Sequence, residues 1–522
     1  KVMLLGDFLN RSAERFPQKK AVINLGRSID YQTLYSSACR LSNGLLSRGM
    51  SRQSRVAVYL ENSIESVISI FGILKAGGVF LVINPQVKSK KLSYILRDCS
   101  VWALITDSVG AQQIIDAQVS SPELKLMLVC DYERECRQES FSAEQGEGIE
   151  TVMFQSFLNS FSDQEPPRSC IDIDLASLMY TSGSTGDPKG VMLTHQNMVT
   201  AARSITQYLK NRPEDIILNY LPLSFDYGLY QVLMSVLFGG TVILERAFVY
   251  PYQAIRRILD EKVTGFPIVP AMAALLLQLR DLENYDFSHV RYLSNTGQAL
   301  PPMHIDGLKK AFKNAGIYSM YGLTECKRVS YLPPSELSRR PLSVGKAIPN
   351  TEVWLIDDAG NRIIEPWTVG ELVIRGAHVM KGYWGKEEET AAVLKPGTYP
   401  GERVLLSGDY FKMDEEGFLY FVSRKDDMIK SGGERISPRE IEDVLYEIDG
   451  VSEVAVTGVP DEILGFAVKA FVVLKEGVDL TVEQIMDFCR QKLEHSRIPK
   501  EIEFRDSLPK SSSGKVCKRE LR

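Results

Sequence analysis

A chain of 522 residues is too long for one ordinary core, so two or more domains are expected. With 44% apolar and 24% charged residues it reads as a globular protein, and a net charge of −5 excludes nucleic acid as the main partner, because such binding needs a strongly basic face. No run of eighteen apolar residues is present, and the eight cysteines and five histidines are scattered, which argues against a membrane span, a disulfide framework and a structural zinc site.

The amino-terminal stretch KVMLLGDFLNRSAERFPQ is amphipathic and lacks the layout of a signal peptide, so a cytoplasmic enzyme is expected. From Ala21 to about Asp107, strand-like runs (AVIN, VAVYL, VFLVI, ALIT) alternate with helical ones, a pattern of α/β layering on a largely parallel sheet. Residues 133–167 are polar and read as a surface excursion. Alternation resumes from Asp174 through IILNYLPL, YQVLMSVLFGG, TVILE, GFPIVP, AMAALLLQLRDL and VRYLSN, and after about Pro341 the chain becomes β-rich (EVWLID, GELVIRG, GFLYFVSR). The last hundred residues or so carry a small α/β pattern of their own. The fold class expected is α/β: a large N-terminal domain (1–425) of layered α/β subdomains plus a β-rich part, followed by a small mobile α+β domain (426–522).

Residues 180–190, YTSGSTGDPKG, concentrate small hydroxyl residues, glycines and a lysine behind the apolar run LASLM. With helical spacing beginning at Asn197, the stretch reads as a strand-to-helix connection that presents donors to an anion. It is not a Walker phosphate loop, because Pro188 precedes Lys189 and Gly190 follows it.

Five motifs occur in one order along the chain: YTSGSTGDPKG, YGLTE (321–325), GELVIRG with KGYW, SGDYFKMDEEGFLYFVSRKDDMIKSGGERISPREIE, and PKSSSGK. Together they resemble the adenylate-forming superfamily, which comprises acyl-CoA synthetases, adenylation domains of nonribosomal peptide synthetases, and luciferases. The resemblance covers essentially the whole chain. It implies that a carboxylate attacks the α-phosphate of ATP to give an acyl-adenylate, which a phosphopantetheine thiol then captures. Thr181, Ser182, Gly183, Ser184, Thr185, Gly186 and Lys189 match the phosphate-binding loop, and Glu325 the Mg2+ ligand. Thr324 matches a phosphate contact, Tyr321 the ring that packs on adenine, Asp409 the ribose-binding carboxylate, and Arg424 an arginine near ribose and phosphate. Gly297, Gly322 and Phe421 fall at further nucleotide positions. Lys515 resembles the late lysine that bridges the attacking carboxylate and the α-phosphate. Asp426 matches the hinge of a rotating small domain, and Gly432 and Gly433 the loop that forms the thiol tunnel.

The acid is less legible. In LPLSFDYGLYQ, Phe225 followed by Asp226 resembles amino-acid-activating domains, whose aspartate binds the substrate ammonium. That reading predicts a free-standing ligase loading an amino or imino acid such as proline onto a separate carrier protein. Against it, Arg328 could pair with Asp226 and leave a site for an uncharged acyl chain, which makes an acyl-CoA ligase the alternative. A catalytically inactive nucleotide-binding regulator is a more remote one. The other pocket positions by register, Tyr227, Tyr230, Ala271, Ser294, Thr296, Met320 and Val329, fit a compact acid.

Overall fold

The computed structural model describes residues 3–116, 121–131, 148–181, 188–297, 299–431, 434–510 and 516–521. Among these residues the strands form four sheets. The first has eight strands; its inner run, Val79–Val82, Arg55–Tyr59, Val101–Asp107 and Leu126–Cys130, is parallel, with helices supplying the crossovers. The second has nine strands, and Thr241–Leu244, Ile216–Asn219, Gly265–Ile268, Tyr292–Asn295 and Gly316–Tyr321 run parallel in that spatial order. Most residues of these strands are buried, and several, such as TVIL, VFLV and LMLVC, are continuous apolar runs, as burial on both faces favours. One apolar core joins the two sheets, with helices Tyr31–Ser47 and Ile64–Lys75 packed between them.

The β-rich part is a five-stranded antiparallel sheet around Gly370–Gly376 and Arg403–Met413, with Leu419–Arg424 paired to the latter. The small domain pairs Val451–Asp461 with Gly465–Leu474 over their full length and packs helices Pro438–Tyr446 and Val482–Lys492 against its own core. The α/β class with a large and a small domain is therefore as expected.

Two local readings need correction. The phosphate-type loop does not lead into a helix: Leu175–Thr181 and Lys189–Thr194 are antiparallel partners, with Thr181 opposite Lys189. The run VMLT continues the hairpin, and the helix His195–Leu209 starts only where Thr194 and Asn197 form a reciprocal capping box. The polar excursion is also only partly one. Its second half supplies the edge strand Glu150–Met153 and the helix Phe154–Asn159, which buries Phe154, Phe157 and Leu158 in the main core. Those three apolar residues sit among polar neighbours, which hid the pattern.

Candidate active site

Of the phosphate loop, Thr181 and Lys189 are described; Ser182, Gly183, Ser184, Thr185 and Gly186 lie outside the described residues. The Lys189 ammonium sits 5.3 Å from the centroid of the Tyr383 ring, and the Tyr383 hydroxyl donates to Glu325 Oε1 at 2.8 Å. Burial, and then the Glu325 charge, push the Tyr383 phenol up, so it stays protonated and donates. Met380 N–H donates to the Glu325 backbone carbonyl at 2.7 Å and anchors the same turn. The lysine of the first motif, the glutamate of the second and the tyrosine of KGYW thus converge, although nearly 200 residues of sequence separate the first from the last. The role of Tyr383 was missed in the sequence, where KGYW stood only as a motif.

The second group joins the end of strand Gly316–Tyr321 to the antiparallel sheet. Tyr321 donates its hydroxyl to Asp409 Oδ2 at 2.6 Å and meets the Phe411 ring edge-on at 4.8 Å. Phe421 continues this aromatic row, 5.5 Å from Phe411. Asp409 stands opposite Arg424 in register, with Arg424 Nε 3.8 Å from Asp409 Oδ1. Tyr321, Asp409, Phe421 and Arg424 are thus one cluster. Thr324 and Glu325 are half-buried on the adjoining turn. That turn is tight. A Cβ on Gly322 would stand 2.1 Å from the Lys327 carbonyl oxygen, so only glycine fits. Gly297, with φ at +92°, occupies the left-handed region that favours glycine.

The same turn carries Lys327 and Arg328 inward. Lys327 adopts φ of +65°, which is strained for a residue with a side chain, and it is 3% exposed. Its Nζ lies 3.4 Å from Asp226 Oδ2 and 4.7 Å from the centroid of Tyr230. Burial lowers the Lys327 ammonium to about 7; Asp226 opposes that shift and Arg328 adds to it. Arg328, 2% exposed, donates from Nη1 to Thr296 Oγ1 and lies 5.4 Å from the Tyr227 ring centroid, while its buried Nε has no partner. Tyr227 donates to the Ser294 carbonyl at 2.7 Å and lies 2.8 Å from its Oγ. Phe225 meets Tyr227 edge-on, and the Met320 sulfur accepts from Tyr208 at 3.0 Å. Val329 is fully buried, and Ala271 is half-buried at the start of helix Pro270–Leu277.

These contacts correct the reading of Asp226. It opens helix Asp226–Phe238 and is buried, but its carboxylate already has an ammonium partner from within the chain. That partner is Lys327, not Arg328, which goes to Thr296 instead. Lys327 was not among the candidates, although the signal was there: a second cation beside Arg328 in a turn bounded by buried strands.

Asp426 is exposed in the turn that joins Leu419–Arg424 to Ile429–Ser431. Gly432, Gly433 and Lys515 lie outside the described residues. Among the described residues, no group of three or more His, Cys, Asp or Glu could hold a metal by itself. A single carboxylate at Glu325 fits a hard cation whose other ligands come from nucleotide phosphates, the habit of Mg2+. No helix among the described residues is long and apolar enough to cross a membrane.

Comparison with known proteins agrees with this architecture. Residues 9–384 match the family described as AMP-binding enzyme, and residues 440–515 match the AMP-binding enzyme C-terminal domain. The long-chain-fatty-acid–CoA ligase of Bacillus subtilis (strain 168) is 34% identical over 99% of this chain and 94% of its own length. The crystal structure of the anthranilate CoA ligase AuaEII with anthranoyl-AMP superposes with a TM-score of 0.90 at 27% identity, covering 100% of this chain and 97% of that one. The o-succinylbenzoate CoA synthetase of Bacillus subtilis, in complex with ATP and magnesium ion, gives 0.82 at 26% identity over 98% of both chains. The chain belongs to the AMP-binding enzyme family, within the adenylate-forming superfamily, and is an AMP-forming acid–thiol ligase that uses ATP and Mg2+.

Proposed function

We propose that this enzyme joins a carboxylic acid to CoA in two steps. In the first, a carboxylate oxygen attacks the α-phosphorus of ATP, the bond to the bridging oxygen breaks, and pyrophosphate leaves. In the second, the CoA thiolate attacks the acyl carbon and AMP departs. The observation that carries the choice of CoA ligase over amino-acid loader is the Lys327–Asp226 contact, which removes the ammonium site on which the loader depended. The relatives named CoA ligases support the same choice.

Residue roles follow the clusters. Lys189, with the loop hydroxyls from Thr181 onward, would neutralise the leaving pyrophosphate. Glu325, oriented by Tyr383, would complete the coordination of Mg2+, which supplies charge neutralisation on the phosphates when bound. Thr324 would hold phosphate. Tyr321 and Asp409 would hold the nucleoside, Asp409 through the ribose hydroxyls, with Arg424 beside it. Lys515 would sit between carboxylate and α-phosphate in the first step. Rotation of residues 426–522 about Asp426 would then withdraw it and bring in Gly432 and Gly433 for the thiol. The test is to supply the purified enzyme with ATP, Mg2+, a panel of acids and either free CoA or a phosphopantetheinylated carrier protein. Acyl-CoA formation with free CoA is expected. Transfer to the carrier alone, with CoA inert, would overturn the proposal.

A further inference from the structure

Two cations and one carboxylate meet where the family resemblance places the acid, all below a tenth exposed: Lys327, Arg328 and Asp226. The aromatic rings of Tyr227 and Tyr230 cover them, and Thr296 and Ser294 supply the nearby hydroxyls. Asp226 accounts for Lys327, but Arg328 meets only neutral hydroxyls, those of Thr296 and Tyr208, and its Nε–H meets none.

Stability does not explain such a group. Buried ion clusters are commonly matched or bettered by apolar residues of similar volume, and a buried charge without full pairing costs several kcal/mol. Lys327 adds backbone strain, since a left-handed conformation at a residue with a side chain is unfavourable. A chain retaining two costs at one turn, beside its acid pocket, keeps them for something that binds there. An anion would satisfy Arg328 at Nε and replace neutral hydroxyls with a charged partner, and would share Lys327 with Asp226.

Resting on the acid–CoA ligase reading, we infer that the acid activated by this enzyme carries a second anionic group, remote from its reacting carboxylate, which Arg328 and Lys327 hold between Tyr227 and Thr296. The substrate class is a compact dicarboxylate or an acid bearing an equivalent anion. Specificity then comes from a buried polar demand: an acid without the second anion leaves the guanidinium unpaired and is rejected, whereas an apolar pocket would discriminate only weakly.

The test compares succinate, glutarate, adipate and phthalate with their monomethyl esters and with butyrate through palmitate, by ATP–pyrophosphate exchange and by acyl-CoA formation. At least one diacid is expected to exceed its own half-ester by tenfold or more in kcat/KM, as loss of a charged hydrogen bond implies. Arg328→Gln should abolish that preference. Asp226→Asn should instead widen the ratio of diacid to half-ester kcat/KM, because it removes the one anion competing for Lys327; impaired folding would lower both substrates alike and leave the ratio where it was. Half-esters or fatty acids used as well as diacids would overturn the inference and leave the CoA ligase reading intact. Adenylation of a diacid with no thioester formed on CoA would overturn that reading and leave the anion site standing. Should none of these acids be turned over, thermal shift decides: diacids that stabilise the wild type no more than Arg328→Gln would overturn the inference.

Discussion

Removing Lys327 alone should harm the fold more than removing it together with its partner. Lys327→Met keeps the stem that packs on Tyr230 but leaves Asp226 buried without its ammonium 3.4 Å away. Breaking one side of a buried pair typically costs about 3–5 kcal/mol. In the wild type the pair is held at a price already visible in Lys327, whose ammonium falls from 10.5 to about 7. That shift marks a burial penalty for keeping the lysine charged, which the Asp226 carboxylate offsets only in part. A double change, Asp226→Asn with Lys327→Met, removes the penalty and the orphan together, and should return stability to within about 1 kcal/mol of the wild type or above it. The assay is urea unfolding of the three proteins with ATP absent, read by tryptophan fluorescence and circular dichroism. If Lys327→Met is as stable as the wild type, or the double variant is no better than the single one, the two side chains are not coupled and the reading of Asp226 as internally neutralised fails.

The sign of the pH dependence follows from the same lysine. Its folded value lies below its unfolded one, so between pH 7 and 10.5 the unfolded chain binds the extra proton, and this group makes the fold more stable as pH rises through that window. In unfolding titrations from pH 7 to 9.5, the rise should vanish in the double variant. Tyr383→Phe deletes the donor to Glu325 and should cut the first half-reaction by about tenfold, with a raised Mg2+ requirement in pyrophosphate exchange; an unchanged Mg2+ profile would count against its orienting role. Gly322→Ala must push against a backbone oxygen 2.1 Å from the new Cβ, so a loss of 1–3 kcal/mol or more is expected, roughly, in thermal unfolding.

Strands such as VAVYL and TVILE were legible because burial on both faces favours short apolar runs rich in β-branched residues, set between helical stretches. The hairpin at Thr181 and Lys189 was not, since VMLT is too short to declare whether it continues a strand or begins a helix, and the capping pair Thr194–Asn197 settles it only locally. Motif order pointed to the residues that cluster on each side of the site: Tyr321, Asp409, Phe421 and Arg424 on one, Lys189 and Glu325 on the other. Pairing was harder. Whether Asp226 meets Lys327 or Arg328 depends on how one turn bends, and the left-handed backbone at Lys327, which the sequence does not announce, directs the two side chains to different partners. Tyr383 reaches Glu325 through a strand paired to the loop hairpin, a tertiary relation absent from either motif.

The route through an adenylate to CoA is tested most directly with an acid labelled with oxygen-18 in its reacting carboxyl group, turned over with ATP, Mg2+ and CoA. Attack on the α-phosphorus predicts AMP carrying one labelled oxygen, in equal amount to pyrophosphate and acyl-CoA. Unlabelled AMP, or ADP with labelled phosphate in its place, would contradict it.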